Sequence, residues 1–114
     1  MKTFKIAKEN ITRLNLALHY IEENLPEKLT LEVISEKAHF SPFHFHRLFS
    51  LVIKETPNNY SIRKRLEKVA SFFLHQKEKT ITKVAEAVGF GNLSLFSKAF
   101  KKFYGISPNK LDHL

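Results

Sequence analysis

An all-α fold of seven helices is what this sequence predicts. Apolar residues recur at spacings of three and four through most of the 114 residues, no stretch alternates as a strand would, and glycine and proline fall at the ends of the apolar stripes. Ile11, Leu14, Leu18, Ile21 and Leu25 form the stripe of a first helix, which Pro26 ends. Thr30 is the expected cap of a short helix that turns Leu31, Ile34 and Ala38 inward. Ser41-Pro42 is a helix start: a capping hydroxyl is followed by a proline whose missing N–H costs nothing at the first helical position. The helix it opens buries Phe45, Leu48, Phe49 and Val52, and Pro57 ends it.

A longer helix is expected from about Asn59 to Gln76, with Ile62, Leu66, Val69 and Phe73 on one stripe. Thr80 caps a second short helix carrying Ile81, Val84, Ala85 and Val88, closed by Gly89-Phe90-Gly91. Asn92 caps a last helix that buries Phe96, Phe100 and Phe103 before Gly105 stops it. All three glycines thus fall at helix ends, where a left-handed residue is useful.

Composition narrows the function. The chain has no cysteine, which excludes disulfides, thiol nucleophiles and Cys-ligated zinc. No apolar run approaches a membrane span, and Met1 opens no signal-peptide pattern. Nineteen Lys and Arg against eleven acids give a formal charge of +8, which points to a polyanion, nucleic acid first and an anionic membrane second. The charges are also sorted. Glu22, Glu23, Glu27, Glu32 and Glu36 crowd the first third, whereas Ala87 to Leu111 holds Lys98, Lys101, Lys102 and Lys110 and no acid.

The chain repeats itself. At an offset of 50, Thr30, Leu31, Ile34, Glu36 and Phe40 meet Thr80, Ile81, Val84, Glu86 and Phe90. One extra residue in the second turn shifts the offset to 51, and Phe45, Arg47, Phe49, Thr56 and Pro57 then meet Phe96, Lys98, Phe100, Ser107 and Pro108. Each copy reads short helix, tight turn, longer helix, which is the helix-turn-helix pattern whose second helix lies in the DNA major groove. The faces opposite the phenylalanines carry Phe43, His46, Arg47 and Ser50 in the first copy, and Leu93, Ser94, Ser97, Lys98 and Lys101 in the second. A scaffold face would more often carry Glu–Lys pairs at i,i+4. The expected layout is residues 1–57 as first helix plus first helix-turn-helix, 58–78 as linker helix, and 79–114 as second helix-turn-helix. A linker of about 18 residues spans roughly 27 Å. With the width of the flanking units added, the two reading helices stand about one DNA turn, ~34 Å, apart.

These residues resemble the DNA-binding domain of the AraC/XylS family of bacterial transcription regulators, from about Ile11 to Pro108. The resemblance rests on the run Ser41 to Phe49 (SPFHFHRLF), on Thr56-Pro57-Asn58-Asn59-Tyr60, and on Arg65 to Ala70 (RLEKVA). Val88-Gly89-Phe90-Gly91-Asn92, Phe96 to Lys102 (FSKAFKK) and Gly105-Ile106-Ser107-Pro108 complete it. It implies that Phe43, His46 and Arg47 reach bases or nearby phosphates from the first recognition helix, and Ser94, Ser97 and Lys98 from the second. An arginine at position 47 suits bidentate pairing with guanine. Lys101, Lys102 and the Arg63-Lys64-Arg65 cluster are either phosphate contacts or structural ion pairs. Two positions depart from the family. Leu111 and Asp112 replace the usual aromatic and basic pair after Ser-Pro, which weakens the case for a C-terminal phosphate or packing contact. Leu93 replaces a usual polar residue, so the second unit is expected to read its half-site loosely or through shape.

The implied function is therefore sequence-specific binding of double-stranded DNA in the bacterial cytoplasm, with RNA polymerase as a further partner when the protein activates. No cofactor, no metal and no membrane is expected. His39, His44 and His46 are close in sequence, but His44 and His46 point apart on a helix and lack a further ligand. No phosphate cradle, paired carboxylates or serine elbow suggests an enzyme. A basic helical module for an acidic protein, or for DNA without sequence preference, is the alternative. The family generally couples this domain to one that senses a small molecule; the expectation here is either a stand-alone regulator controlled by its abundance or, favoured, an N-terminal domain of a larger protein, with the effector then bound outside these residues.

Overall fold

The computed structural model describes residues 7–75 and 81–108, with the side chains of 73–75 and 81 left aside. Six helices occur among the described residues: α1 (Lys8–Glu23), α2 (Leu31–Lys37), α3 (Pro42–Ile53), α4 (Pro57–His75), α5 (Ile81–Ala87) and α6 (Leu93–Tyr104). There is no strand among them. The expected count was seven. Only six apolar stripes stood behind it, and the residues after Pro108, including Lys110, Leu111, Asp112 and His113, lie outside the described part. So do Gln76 and the cap expected at Thr80, and the inward positions of Phe73 and Ile81 are not described.

Side-chain caps set most of the starts. Thr30 Oγ1 accepts from Val33 N at 3.2 Å, Ser41 Oγ from His44 N at 3.4 Å, and Asn92 Oδ1 from Leu95 N at 2.9 Å. Pro57 departs from expectation. It is the first residue of α4, and Thr56 Oγ1 caps that helix by accepting from Asn59 N at 3.1 Å. α3 has already ended at Ile53, where Lys54 turns left-handed. Likewise α1 ends at Glu23, ahead of Pro26, with Asn24 Nδ2 donating to the Tyr20 carbonyl at 2.8 Å.

Two compact units divide the chain: Met1–Asn24 with Leu29–Asn59, and Leu25–Lys28 with Tyr60–Leu114. In the first, α1 packs on α2 and α2 on α3. Its buried apolar residues include Leu14, Ala17, Ile21, Ile34, Ala38, Phe45, Leu48 and Phe49. The buried stripe of α1 is rotated from the expected one: Ile11 is 48% exposed and Ala17 is enclosed. The rings of Phe40 and Phe45 lie 6.0 Å apart and those of Phe45 and Phe49 5.4 Å. The second unit buries Leu66, Val69, Val84, Ala85, Val88, Phe96 and Phe100 in one cluster, with Phe90 packed against it. There Phe90 and Phe96 are 5.3 Å apart and Phe96 and Phe100 5.7 Å. Each unit is thus laced by the same three rings at repeat-equivalent positions. Each fully buried phenylalanine contributes about 1.5–3 kcal/mol, and ring pairs add to that. Phe103, expected in this core, is 38% exposed.

The turns agree bond for bond. After α2, Phe40 N donates to Ser35 O (2.9 Å) and His39 N to Glu36 O (3.1 Å); after α5, Phe90 N donates to Ala85 O (3.0 Å) and Gly89 N to Glu86 O (3.1 Å). Both are Schellman closures, which need a left-handed residue just past the helix. Gly89 supplies it at φ 97°, and His39 occupies the equivalent place at φ 62°. The longer helices repeat the contrast: α6 ends on Gly105 at φ 80°, α3 on Lys54 at φ 69°. Gly91 does not take a positive φ, contrary to the expectation for all three glycines.

Gly89 has a second reason to lack a side chain. A Cβ there would stand 2.5 Å from the Leu25 carbonyl oxygen. Arg65 holds that same carbonyl through Nε at 2.9 Å and the Glu27 carbonyl through its NH2 group at 2.9 Å. Burial lowers its pKa from the usual guanidinium value. Arg65 is therefore a clamp on Leu25–Lys28. Its neighbours Arg63 and Lys64 reach Glu67 at 2.9 and 3.5 Å.

His39→Gly and Lys54→Gly are each expected to stabilise the fold by about 0.5–1 kcal/mol. Relief of left-handed strain of about 1–2 kcal/mol exceeds the added unfolded-state entropy. Urea unfolding checks this, and a lower midpoint for both variants would contradict it. Arg65→Met is expected to cost about 1.5–3 kcal/mol, because it strands two carbonyls bonded to a charged donor. Titrating DNA binding against salt separates the roles: a clamp leaves the slope unchanged, whereas a phosphate contact would reduce it by about one.

Candidate nucleic-acid interface

Each longer helix of a copy has one buried face and one open face. On α3, Phe45, Leu48 and Phe49 turn inward, which leaves Phe43, His46 and Arg47 exposed at spacings of three and four. Phe43 is 78% exposed, an unusual state for a phenylalanine. Ser50 completes the expected face but is half-buried, and its Oγ is enclosed without a hydrogen-bond partner among the described residues. On α6, Phe96 and Phe100 turn inward, and Ser94, Lys98, Lys101 and Lys102 are exposed, with Ser97 half-buried. The first turn of α6 also exposes Leu93 (45%) and Leu95 (54%). Leu95 went unnoticed in the sequence because its repeat equivalent is the polar His44.

The charges sort by helix. α1 pairs Arg13 with Glu9, and His19 with Glu23; α4 pairs Arg63 and Lys64 with Glu67. These are the i,i+3 and i,i+4 pairs of solvated scaffold faces. α3 and α6 contain no acid at all. Arg47, Lys98, Lys101 and Lys102 make no ion pair among the described residues. Their charge is uncompensated within its own helix, and the positive N-terminal ends of α3 and α6 add to it. Such faces attract an anion.

The histidines near α3 separate in space. His39 is the left-handed turn residue, and His44 stands edge-on to Phe40 with centroids 5.3 Å apart. His46 lines an open cleft of about 360 Å³ together with Thr30, Ile34, Thr56 and Pro57. No group of three potential metal ligands converges among the described residues. No helix described is long and apolar enough to cross a membrane.

A family model described as a helix-turn-helix domain matches residues 34–113. A probable transcriptional regulator of Photobacterium leiognathi, LumQ, is 35% identical over 90% of this chain. A transcriptional regulator of Bacillus subtilis, YobQ, is 36% identical over 81% of it. The chain spans 42% and 38% of the lengths of these two proteins. Among solved structures, the C-terminal domain of AraT, a response regulator from Geobacillus stearothermophilus, superposes with a TM-score of 0.81 at 29% identity, covering 96% of this chain and 88% of that one. The DNA-binding domain of the global transcriptional factor AdpA, solved with a target DNA, shares the fold with a TM-score of 0.76 at 20% identity, over 94% of this chain and 92% of its own. With two helix-turn-helix copies built alike and a family model matched over most of its length, this chain is a helix-turn-helix domain of the AraC/XylS type.

Proposed function

We propose that this chain binds double-stranded DNA at specific sequences, with α3 and α6 entering successive major grooves on one face of the duplex. The observation that carries this reading is the pair of acid-free, cation-bearing helix faces, each set behind the same Schellman turn. Phosphate charge supplies affinity, and base edges supply the choice of site. Arg47 is the side chain best suited to a guanine, through two parallel N–H donors to O6 and N7. Phe43 and His46 flank it in the first unit. Ser94, Ser97 and Lys98 are the readers of the second, with Lys101 and Lys102 on phosphates. Ser50 supports α3 at the edge of its reading face.

On this reading residues 1–57 serve as first helix plus first helix-turn-helix, 58–78 as linker and 79–114 as second reader. Any small-molecule effector would bind outside these residues; LumQ and YobQ are both longer than the part the chain matches. RNA polymerase is the second partner when the protein activates, and the bacterial cytoplasm is where both partners are met. A basic module that grips DNA without sequence preference is the weaker reading, since it has no need of two matched turns.

Selection from randomised duplexes is expected to enrich a non-palindromic site of two short elements about ten base pairs apart, protected by a monomer. Salt-sensitive retention with no enriched sequence would overturn specific recognition. Arg47→Ala is expected to relax preference at one base position, losing about 1–3 kcal/mol of discrimination there. Lys101→Ala and Lys102→Ala are each expected to weaken all sequences alike and to lower the salt slope by about one. Equal weakening on every sequence for Arg47→Ala would reassign that residue to phosphate.

A further inference from the structure

We propose that Leu93 and Leu95 read thymine methyl groups, so that the second half-site is recognised by apolar contact. This rests on the DNA-binding reading of α6 and goes beyond it by naming the base and the chemical group. The two leucines flank Ser94 in the first turn of the helix, the part of a recognition helix that meets base edges. They are 45% and 54% exposed, while the apolar side chains behind them, Phe96 and Phe100, are buried. One exposed leucine on a protein surface means little. Here two open to either side of Ser94 on a helix end with no acid, one turn ahead of Lys98, so that each would meet a different base.

A leucine offers no donor and no acceptor. Of the groups that base pairs display in the major groove, only the C5-methyl of thymine is apolar, so it is the group a leucine can recognise there. The lysines further along the helix, Lys101 and Lys102, suit the phosphates beside such a base. The feature belongs to the second copy alone: the positions equivalent to Leu93 and Leu95 are Pro42 and His44. The two copies then differ in chemistry, with Arg47 and His46 offering hydrogen bonds in one and the leucines offering methyl contact in the other.

The test uses the site selected from randomised DNA. Each thymine of the second element is replaced in turn by deoxyuridine, and each cytosine by 5-methylcytosine. Affinity is measured for the unaltered chain, for Leu93→Ala, for Leu95→Ala and for the double variant. Loss of a contacted methyl is expected to weaken the unaltered chain about fourfold, the equivalent of one buried methylene. The double variant is expected to bind thymine and deoxyuridine sites equally. The proposal falls if deoxyuridine is tolerated at every position of the second element, or if the double variant keeps the full thymine preference. An enriched site without any methyl effect would remove the leucine reading and leave DNA binding intact, whereas no enriched site would remove both. Helical content and low-salt retention of unrelated DNA show that the variants fold, and the single variants carry the test if the double one does not.

Discussion

The closure of the short helix decides the most in each unit. A Schellman turn ends α2 and α5 with the same two backbone bonds, and the residue it delivers next is a phenylalanine, Phe40 or Phe90. That ring packs on the first buried phenylalanine of the following long helix, Phe45 or Phe96, and this one on the second, Phe49 or Phe100. The turn thereby places the first ring of the ladder, and the ladder sets which face of the next helix is hidden. Everything exposed on α3 and α6 is what those two constraints leave over.

The duplication makes the cost of that closure visible. The second copy uses glycine at both left-handed positions, Gly89 and Gly105, while the first uses His39 and Lys54. At Gly89 there was no alternative, because the Leu25 carbonyl that Arg65 clamps fills the space a Cβ would need. Nothing comparable among the described residues crowds Gly105, where backbone conformation alone favours glycine. The first copy therefore carries strain that its partner avoids, and it holds because the ladder behind each turn fixes the chain on both sides.

Much of this was legible in the residues, for local reasons. Thr30, Ser41 and Asn92 announced three helix starts because a cap is a one-turn interaction that spacing alone reveals. The phenylalanine positions were legible because two copies had to agree. What escaped depended on distant partners or on ambiguous signals. Pro57 both stops and starts helices, and only the Thr56 cap decides which. Ala17 scores weakly as apolar yet is enclosed, since a small residue permits close packing. Arg65 stood open between a phosphate contact and a structural ion pair, because the carbonyls it holds lie 40 and 38 residues away. On the candidate site, Phe43, His46, Arg47, Ser94 and Lys98 stand in the open as expected, whereas Ser50 folds its hydroxyl inward.

Core and surface have diverged at different rates between the copies, and the physics of each explains it. A buried ring has a fixed volume to fill, so Phe40, Phe45 and Phe49 recur unchanged as Phe90, Phe96 and Phe100. An exposed position on the long helix answers to whatever it meets outside the protein, and there Phe43 has become Ser94, His46 has become Ser97 and His44 has become Leu95. Only the cation survives in kind, as Arg47 and Lys98, and even that change trades a planar fork for a point charge. Two faces that each kept a cation and changed their contact groups suit a target with a uniform backbone and a variable edge. Duplex DNA has that character, with phosphate repeating along its length and base edges that differ from one groove to the next.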